Sequence, residues 1–291
     1  MPSKNPSSEF RILSLSGGGY LGLYAAVVLA HLEERIGEPL GRRFDLIAGT
    51  SVGGLLALAL AYEVPMAQIV KLFVEKGEDI FSARRLPGGT VTRLIDLTRS
   101  VLGPKYTGET LRGELTRHLG ARTLGDALHA VVIPAVDVSR SATKVFKTPH
   151  ADASLGDEDI SAVDVAMATS AAPAFFPSVQ IGKTLYADGG LFAVAATMGY
   201  RPAEHLEADA GAVGWLTDGR LILTMIAVQQ QHVVATMEDR LQDRYLRLDA
   251  RWPAQAGLGI DIATRAAALT LTALGRETIA QLDPQRLKQF L

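Results

Sequence analysis

Phe44-Asp45-Leu46-Ile47-Ala48-Gly49-Thr50-Ser51-Val52-Gly53-Gly54-Leu55-Leu56-Ala57 sets the reading of the whole chain. Residues 44–48 predict a short apolar strand, and residues 52–62 predict a helix. Between them lies Gly49-Thr50-Ser51-Val52-Gly53, a G-x-S-x-G. A strand-to-helix turn this tight holds the serine in strained backbone geometry and presents its hydroxyl at the sheet edge. The flanking glycines lack the Cβ that would obstruct such a turn. Amides at the start of the helix point toward any negative charge that forms at the hydroxyl. The same five residues also suit a plain tight turn around a buried serine, so the surroundings must decide.

Upstream, residues 10–16 alternate as a strand does and run into Ser16-Gly17-Gly18-Gly19-Tyr20-Leu21-Gly22. A helix is predicted over 20–36, ended by Gly37 and Pro39. Consecutive glycines let backbone N–H groups converge on an anion. One use is phosphate binding, since Gly17, Gly19 and Gly22 spell G-x-G-x-x-G. The other is an oxyanion hole beside a serine nucleophile. A dinucleotide site expects an acidic residue at the end of the second strand, where this chain has Ala48 to Ser51, and Asp45 lies at the wrong end. The oxyanion reading explains both glycine turns with one site.

Downstream, a helix is expected from Pro65 to about residue 76, then a loop-rich excursion over 77–106 that covers the core surface or forms a lid. Helices are predicted over 107–119, 160–169, 221–241 and 260–282, and strands over 129–138, 144–147, 183–187 and 245–247. Strands alternating with helices favour an α/β layer architecture. No repeat or convincing linker divides the chain, so residues 1–291 are read as one domain with a flexible segment at 1–9.

The strand at 183–187 ends in Asp188-Gly189-Gly190. Alone this is a common turn. A serine nucleophile, however, needs a base. None of His31, His118, His129, His150, His205 and His232 sits in a glycine turn. A histidine-free pair of Ser51 and Asp188 therefore stands as an option, with burial raising the carboxyl pKa toward useful values.

Composition narrows the classes. The 291 residues are 48% hydrophobic and 21% charged, as in a globular protein with a sizeable core. A net charge of −2 gives no basic field for DNA or RNA. The absence of cysteine excludes disulfides, thiolate metal sites and cysteine nucleophiles, and fits a reducing compartment. Residues 1–9 are polar and carry no signal-peptide core, and the apolar stretches at 20–32 and 52–62 fall short of the roughly 20 residues a membrane span needs. A cytoplasmic protein with at most peripheral membrane contact is expected.

Gly17-Gly18-Gly19, then Ser51 in its G-x-S-x-G, then Asp188-Gly189-Gly190 form an ordered set that resembles the patatin-like phospholipase family. Ala168-Thr169-Ser170-Ala171-Ala172-Pro173-Ala174-Phe175-Phe176-Pro177 is similar to the family's segment ahead of its aspartate. The resemblance spans about residues 10–191. It implies a three-layer α/β/α sandwich with a mostly parallel central sheet. It also implies a Ser51–Asp188 dyad with Gly17, Gly18 and Gly19 as oxyanion loop, a phospholipid substrate, and no metal or redox cofactor. Residues 10–19, 44–59, Ala227 to Gln231 and Asp243 to Arg247 look closest to bacterial phospholipases of cyclic-oligonucleotide anti-phage signalling. That implies a cyclic dinucleotide activator, action on the inner face of the cell membrane, and compatibility with a homo-oligomer.

Two departures stand out. The family's loop usually reads Gly-Gly-Gly-x-Arg-Gly, and Leu21 stands at the basic position. Backbone donors survive that change, while charge assistance from the loop is lost. Beyond Asp188-Gly189-Gly190 the family continues into a helix and a core strand, yet Leu191 to Met198 runs straight on to Tyr200-Arg201-Pro202. Either an element is lost or a stretch near 192–198 is missing from the sequence. The second is preferred, because losing a central strand exposes apolar surface and unpaired sheet edges. Two other readings stay open: an α/β-hydrolase with a Ser-His-Asp triad using His205 or His232, and a nucleotide-binding α/β protein built on Gly17–Gly22.

Overall fold

The structure is a computed structural model that describes residues 9–81, 104–150, 156–193, 220–251 and 256–291. The expected flexible segment at 1–9, most of the excursion at 77–106, the junction near 192–198 and His205 fall wholly or mainly outside those residues.

Alternation of strands and helices produces the expected α/β architecture. Strand β1 (Ile12–Leu15) leads into helix α1 (Gly22–Ile36), and β2 (Leu46–Gly49) into α2 (Val52–Ala61). Helices α3 (Met66–Ile80) and α4 (Glu109–Leu119) precede β3 (Val131–Asp137) and β4 (Ala142–Lys147). Then come α5 (Ala162–Thr169), β5 (Val179–Ile181) and β6 (Thr184–Asp188). Helices α6 (Arg220–Leu241), α7 (Arg265–Gln281) and α8 (Pro284–Lys288) follow.

The sheet is less parallel than the resemblance implied. β1, β2 and β3 run parallel, whereas β4 and β6 pair antiparallel to β3, and β5 antiparallel to β6. Short connections explain the difference. β5 reaches β6 through Gly182 and Lys183 alone, and β3 reaches β4 through residues 138–141, loops far too short for a parallel crossover.

The register on β3 matters most for the site. Ile47 and Ala48 of β2 pair with Val131 and Val132, and Asp188, Ala187 and Tyr186 of β6 pair with Ala135, Val136 and Asp137. β4 pairs with residues 132–137, so it takes the other edge. β2 and β6 therefore share one edge of β3 and run toward each other. Their C-terminal ends meet beside Ile133 and Pro134.

Burial alternates strictly along β3, with Val131, Ile133 and Ala135 buried and Val132, Pro134 and Val136 half-buried. Helices α2 and α5 pack on the buried face. α2 is apolar all round, as a core helix must be, and Leu56, Leu58 and Leu60 are fully enclosed. Each such leucine contributes about 1.5–3 kcal/mol by leaving water.

Two sequence expectations shift near the C-terminal end. Residues 245–247 form no strand among the described residues; the Tyr245 carbonyl instead accepts from Arg286 at 3.3 Å. The helix expected at 260–282 begins only after Thr264, whose hydroxyl caps Ala267 N–H at 3.2 Å. The residues before it are drawn away, since Ile260 O accepts Tyr20 N–H at 2.7 Å. Among the described residues no helix is long and apolar enough to cross a membrane.

Candidate active site

Ser51 sits at the junction of β2 and α2 with φ 56° and ψ −129°. A non-glycine residue in this region costs about 1–3 kcal/mol, so its surroundings must enforce it. They do so from several sides. Its carbonyl accepts from Gly54 N–H at 2.8 Å and Leu55 N–H at 3.2 Å, and its own N–H donates to Thr169 Oγ1 at 3.0 Å. The neighbouring Thr50 hydroxyl donates to Ala193 O at 2.8 Å. The second glycine of the motif is needed for close approach: a Cβ on Gly53 would lie 2.2 Å from Leu15 O. Helix α2 thus starts directly against the end of β1.

The glycine turn after β1 lies beside this serine. A Cβ built on Gly17 would be 3.1 Å from Ser51 Cβ and 3.9 Å from its Oγ. Gly18 and Gly19 have φ of 134° and 54°, which fold the loop so that its amides are not used in a ladder. Among the described residues no acceptor takes the Gly18 or Gly19 N–H. Leu21, which departs from the basic residue of the resembled loop, is buried and lines the same cavity as Ser51.

Asp188 is the last residue of β6 and only 5% exposed. Its N–H donates to Ala171 O at 3.0 Å, and its Oδ1 accepts Gly190 N–H at 2.7 Å. Burial drives the carboxyl pKa up to about 6; the Gly190 N–H bonded to it, and after it the neighbouring Ser51 hydroxyl, pull it back down. The head-to-head ends of β2 and β6 are what bring this carboxyl to that hydroxyl. Ser51, Asp188, Gly17, Gly18 and Gly19, the five residues singled out from sequence, all line one cavity.

That cavity opens to solvent at its mouth. Its walls are mostly apolar and come from α2, α3, α4 and the segment after α5, including Leu55, Ile69, Phe73, Leu115 and Phe176. Such a space suits a hydrocarbon chain, with the polar groups gathered at one place.

Four of the described histidines lie outside this cavity. His31 bonds Val27 O at 2.9 Å, His129 bonds Glu63 at 3.0 Å, His150 bonds Thr148 at 2.8 Å, and His232 is exposed on α6. His118 lies in the cavity wall. Among the described residues no histidine bonds Ser51 or Asp188. The glycine turn faces Ser51 and lines the same cavity.

A protein-family model, that of the patatin-like phospholipases, matches residues 13–198, more than half of the chain. The chain belongs to the patatin-like phospholipase family. Its patatin-like part is 44% identical over 182 residues to a cGAMP-activated phospholipase of Pseudomonas aeruginosa, covering 62% of this chain and 53% of that protein. It is 36% identical over 193 residues to a cGAMP-activated phospholipase of Escherichia coli, covering 63% and 52%. It is 37% identical over 198 residues to one of Vibrio cholerae, covering 64% and 55%. The chain therefore spans about half the length of these curated relatives.

In this patatin-like site the sequence left two contributors without a role. Thr169 was visible only as part of a motif, and Ile260 belonged to a presumed helix. Both bond backbone groups distant in sequence, Thr169 through its hydroxyl and Ile260 through its carbonyl, which no local pattern announces. Ile260 makes one expectation sharp. A Cβ on Gly19 would lie 2.0 Å from Ile260 O, at a φ that side chains disfavour. Gly19→Ala is expected to lower stability by about 1–3 kcal/mol in denaturant unfolding. An unchanged unfolding midpoint would show that the loop is not clamped as described.

Proposed function

We propose that this chain is a serine acyl hydrolase that cleaves fatty acyl esters of membrane phospholipids through an acyl-enzyme on Ser51. Asp188 takes the proton of the Ser51 hydroxyl as the serine oxygen adds to the ester carbonyl carbon. The carbonyl oxygen becomes negative against the N–H groups of Gly18 and Gly19, with Val52 N–H as a further donor and Gly17 shaping the approach. Collapse breaks the carbon–oxygen bond, and the departing lysolipid alcohol takes the proton from Asp188. Water then gives a proton to Asp188 and attacks the acyl carbon. Ser51 regains that proton as the fatty acid leaves. No step needs a metal or redox cofactor.

One observation supports this reading above the rest: a serine hydroxyl and a buried carboxyl that line the same apolar cavity. A pKa near 6 suits a base that must be ionised at neutral pH yet still accept a proton. The likeness to cGAMP-activated phospholipases supports activation by a cyclic dinucleotide. Peripheral contact with the inner face of the cell membrane, in the cytoplasm, is part of the same reading and rests on that likeness. A homo-oligomer is compatible with the same reading.

The direct test is fatty acid release from phospholipid vesicles, with and without cGAMP. Release that depends on the nucleotide is expected; no release under any nucleotide, with no labelling of Ser51 by a fluorophosphonate, rejects the proposal. The base adds a pH signature. On a soluble ester, kcat/KM should fall about tenfold per unit below pH 6 and level off above it. An acid limb centred near pH 4 would mean that the buried Asp188 is not the titrating base.

A further inference from the structure

Residues 169–171 bridge the gap between the facing ends of β2 and β6. Thr169 ends α5 and is completely buried. Its hydroxyl donates to Pro134 O at 2.6 Å and accepts Ser51 N–H at 3.0 Å. Two residues on, Ala171 O accepts Asp188 N–H at 3.0 Å. One short segment thus holds the backbone of both the serine and the aspartate.

The need for a hydroxyl follows from the sheet. β2 pairs with β3 only as far as Val132, and β6 begins pairing at Ala135. Pro134 lies in that interval, brings no N–H, and presents a carbonyl that neither strand satisfies. Ser51 N–H, turned by its positive φ, is an orphan of the opposite kind. A hydroxyl donates and accepts at once, so a single side chain serves both. Pro134 O also backs the turn after Asp188, since a Cβ on Gly189 would lie 2.2 Å from it. The Thr169 hydroxyl therefore ties the serine to the same carbonyl against which the aspartate turn is packed.

We infer that Thr169 is a positioning residue, whose hydroxyl sets the backbone pose of Ser51 and hence the Ser51–Asp188 separation. The inference rests on Ser51 being the nucleophile. It also assigns Ser51 N–H to Thr169, which leaves the oxyanion to the amides of Gly18, Gly19 and Val52.

The test compares Thr169→Val, Thr169→Ser and Thr169→Ala with wild type and Ser51→Ala. Three quantities are read: kcat and KM on a soluble short-chain aryl ester with cGAMP present, the rate of fluorophosphonate labelling, and thermal unfolding. Thr169→Val keeps the shape and loses the hydroxyl, so kcat and labelling should fall about 10- to 100-fold while KM changes by less than about threefold. Thr169→Ser keeps the hydroxyl and should stay within about threefold of wild type. Wild-type kcat in folded Thr169→Val overturns the inference even if its melting temperature drops, because that is a purely structural role. Should Thr169→Val not fold, equal kcat in Thr169→Ala and Thr169→Ser overturns it in the same way. Activity that survives in Ser51→Ala removes the nucleophile assignment itself, a different failure.

Discussion

Ser51→Ala is expected to fold as the wild type does and to lose ester hydrolysis by at least about a thousandfold. The side chain is half-buried, and the turn around it is held by backbone contacts: its carbonyl to Gly54 and Leu55, its N–H to Thr169. Alanine keeps all of these. It removes only the oxygen that forms the acyl-enzyme. What remains is the cavity and the free amides of the glycine turn, which bind an ester and polarise it without a nucleophile. Vesicle assays for fatty acid release, paired with circular dichroism, read both halves of the expectation. Hydrolysis at a tenth of the wild-type rate or better would require another nucleophile.

Asp188→Asn separates catalysis from stability. Asparagine cannot take the serine proton, so hydrolysis should drop by a factor of about a thousand or more. Stability should move the other way. Burial raises the folded-state pKa of Asp188 from 3.8 to about 6, so the fold favours the neutral acid. The stabilising share of that preference is complete below about pH 4 and is lost as pH rises through 6. Above that, the ionised carboxylate in its buried place costs roughly 3 kcal/mol, taking about 1.4 kcal/mol per pKa unit. Asparagine stays neutral throughout. The variant should therefore match the wild type in acid and exceed it at pH 7 to 8 in denaturant unfolding. Equal stability of the two proteins at every pH would mean that Asp188 is not desolvated in solution.

The two residues of the proposed dyad were legible for different reasons. Ser51 announces itself because its motif is local: strand, glycine, serine, glycine and helix follow each other without interruption. The observed φ of 56° is the strain that such a turn requires. Asp188 was visible as a strand-end aspartate, yet nothing local ties it to Ser51. The tie comes from β2 and β6 sharing one edge of β3, while hairpins at residues 138–141 and 182–183 place β4 on its other edge and β5 beside β6. The same hairpins make the sheet mixed. The connection lengths were in the sequence, but the antiparallel pairing partner of each strand was not. The late start of α7 was hidden likewise, because residues just before it bond the glycine turn after β1.

Local order therefore determined the α/β class, the nucleophile turn, the glycine loop and the candidate acid, because each is written in neighbouring residues whose backbone preferences act within a few bonds. Tertiary structure alone decided which carboxyl meets which hydroxyl, how far burial lifts its pKa, and which threonine holds the serine in place. Those depend on strand register and on exclusion of water, and both arise only when segments far apart in the chain close on one another.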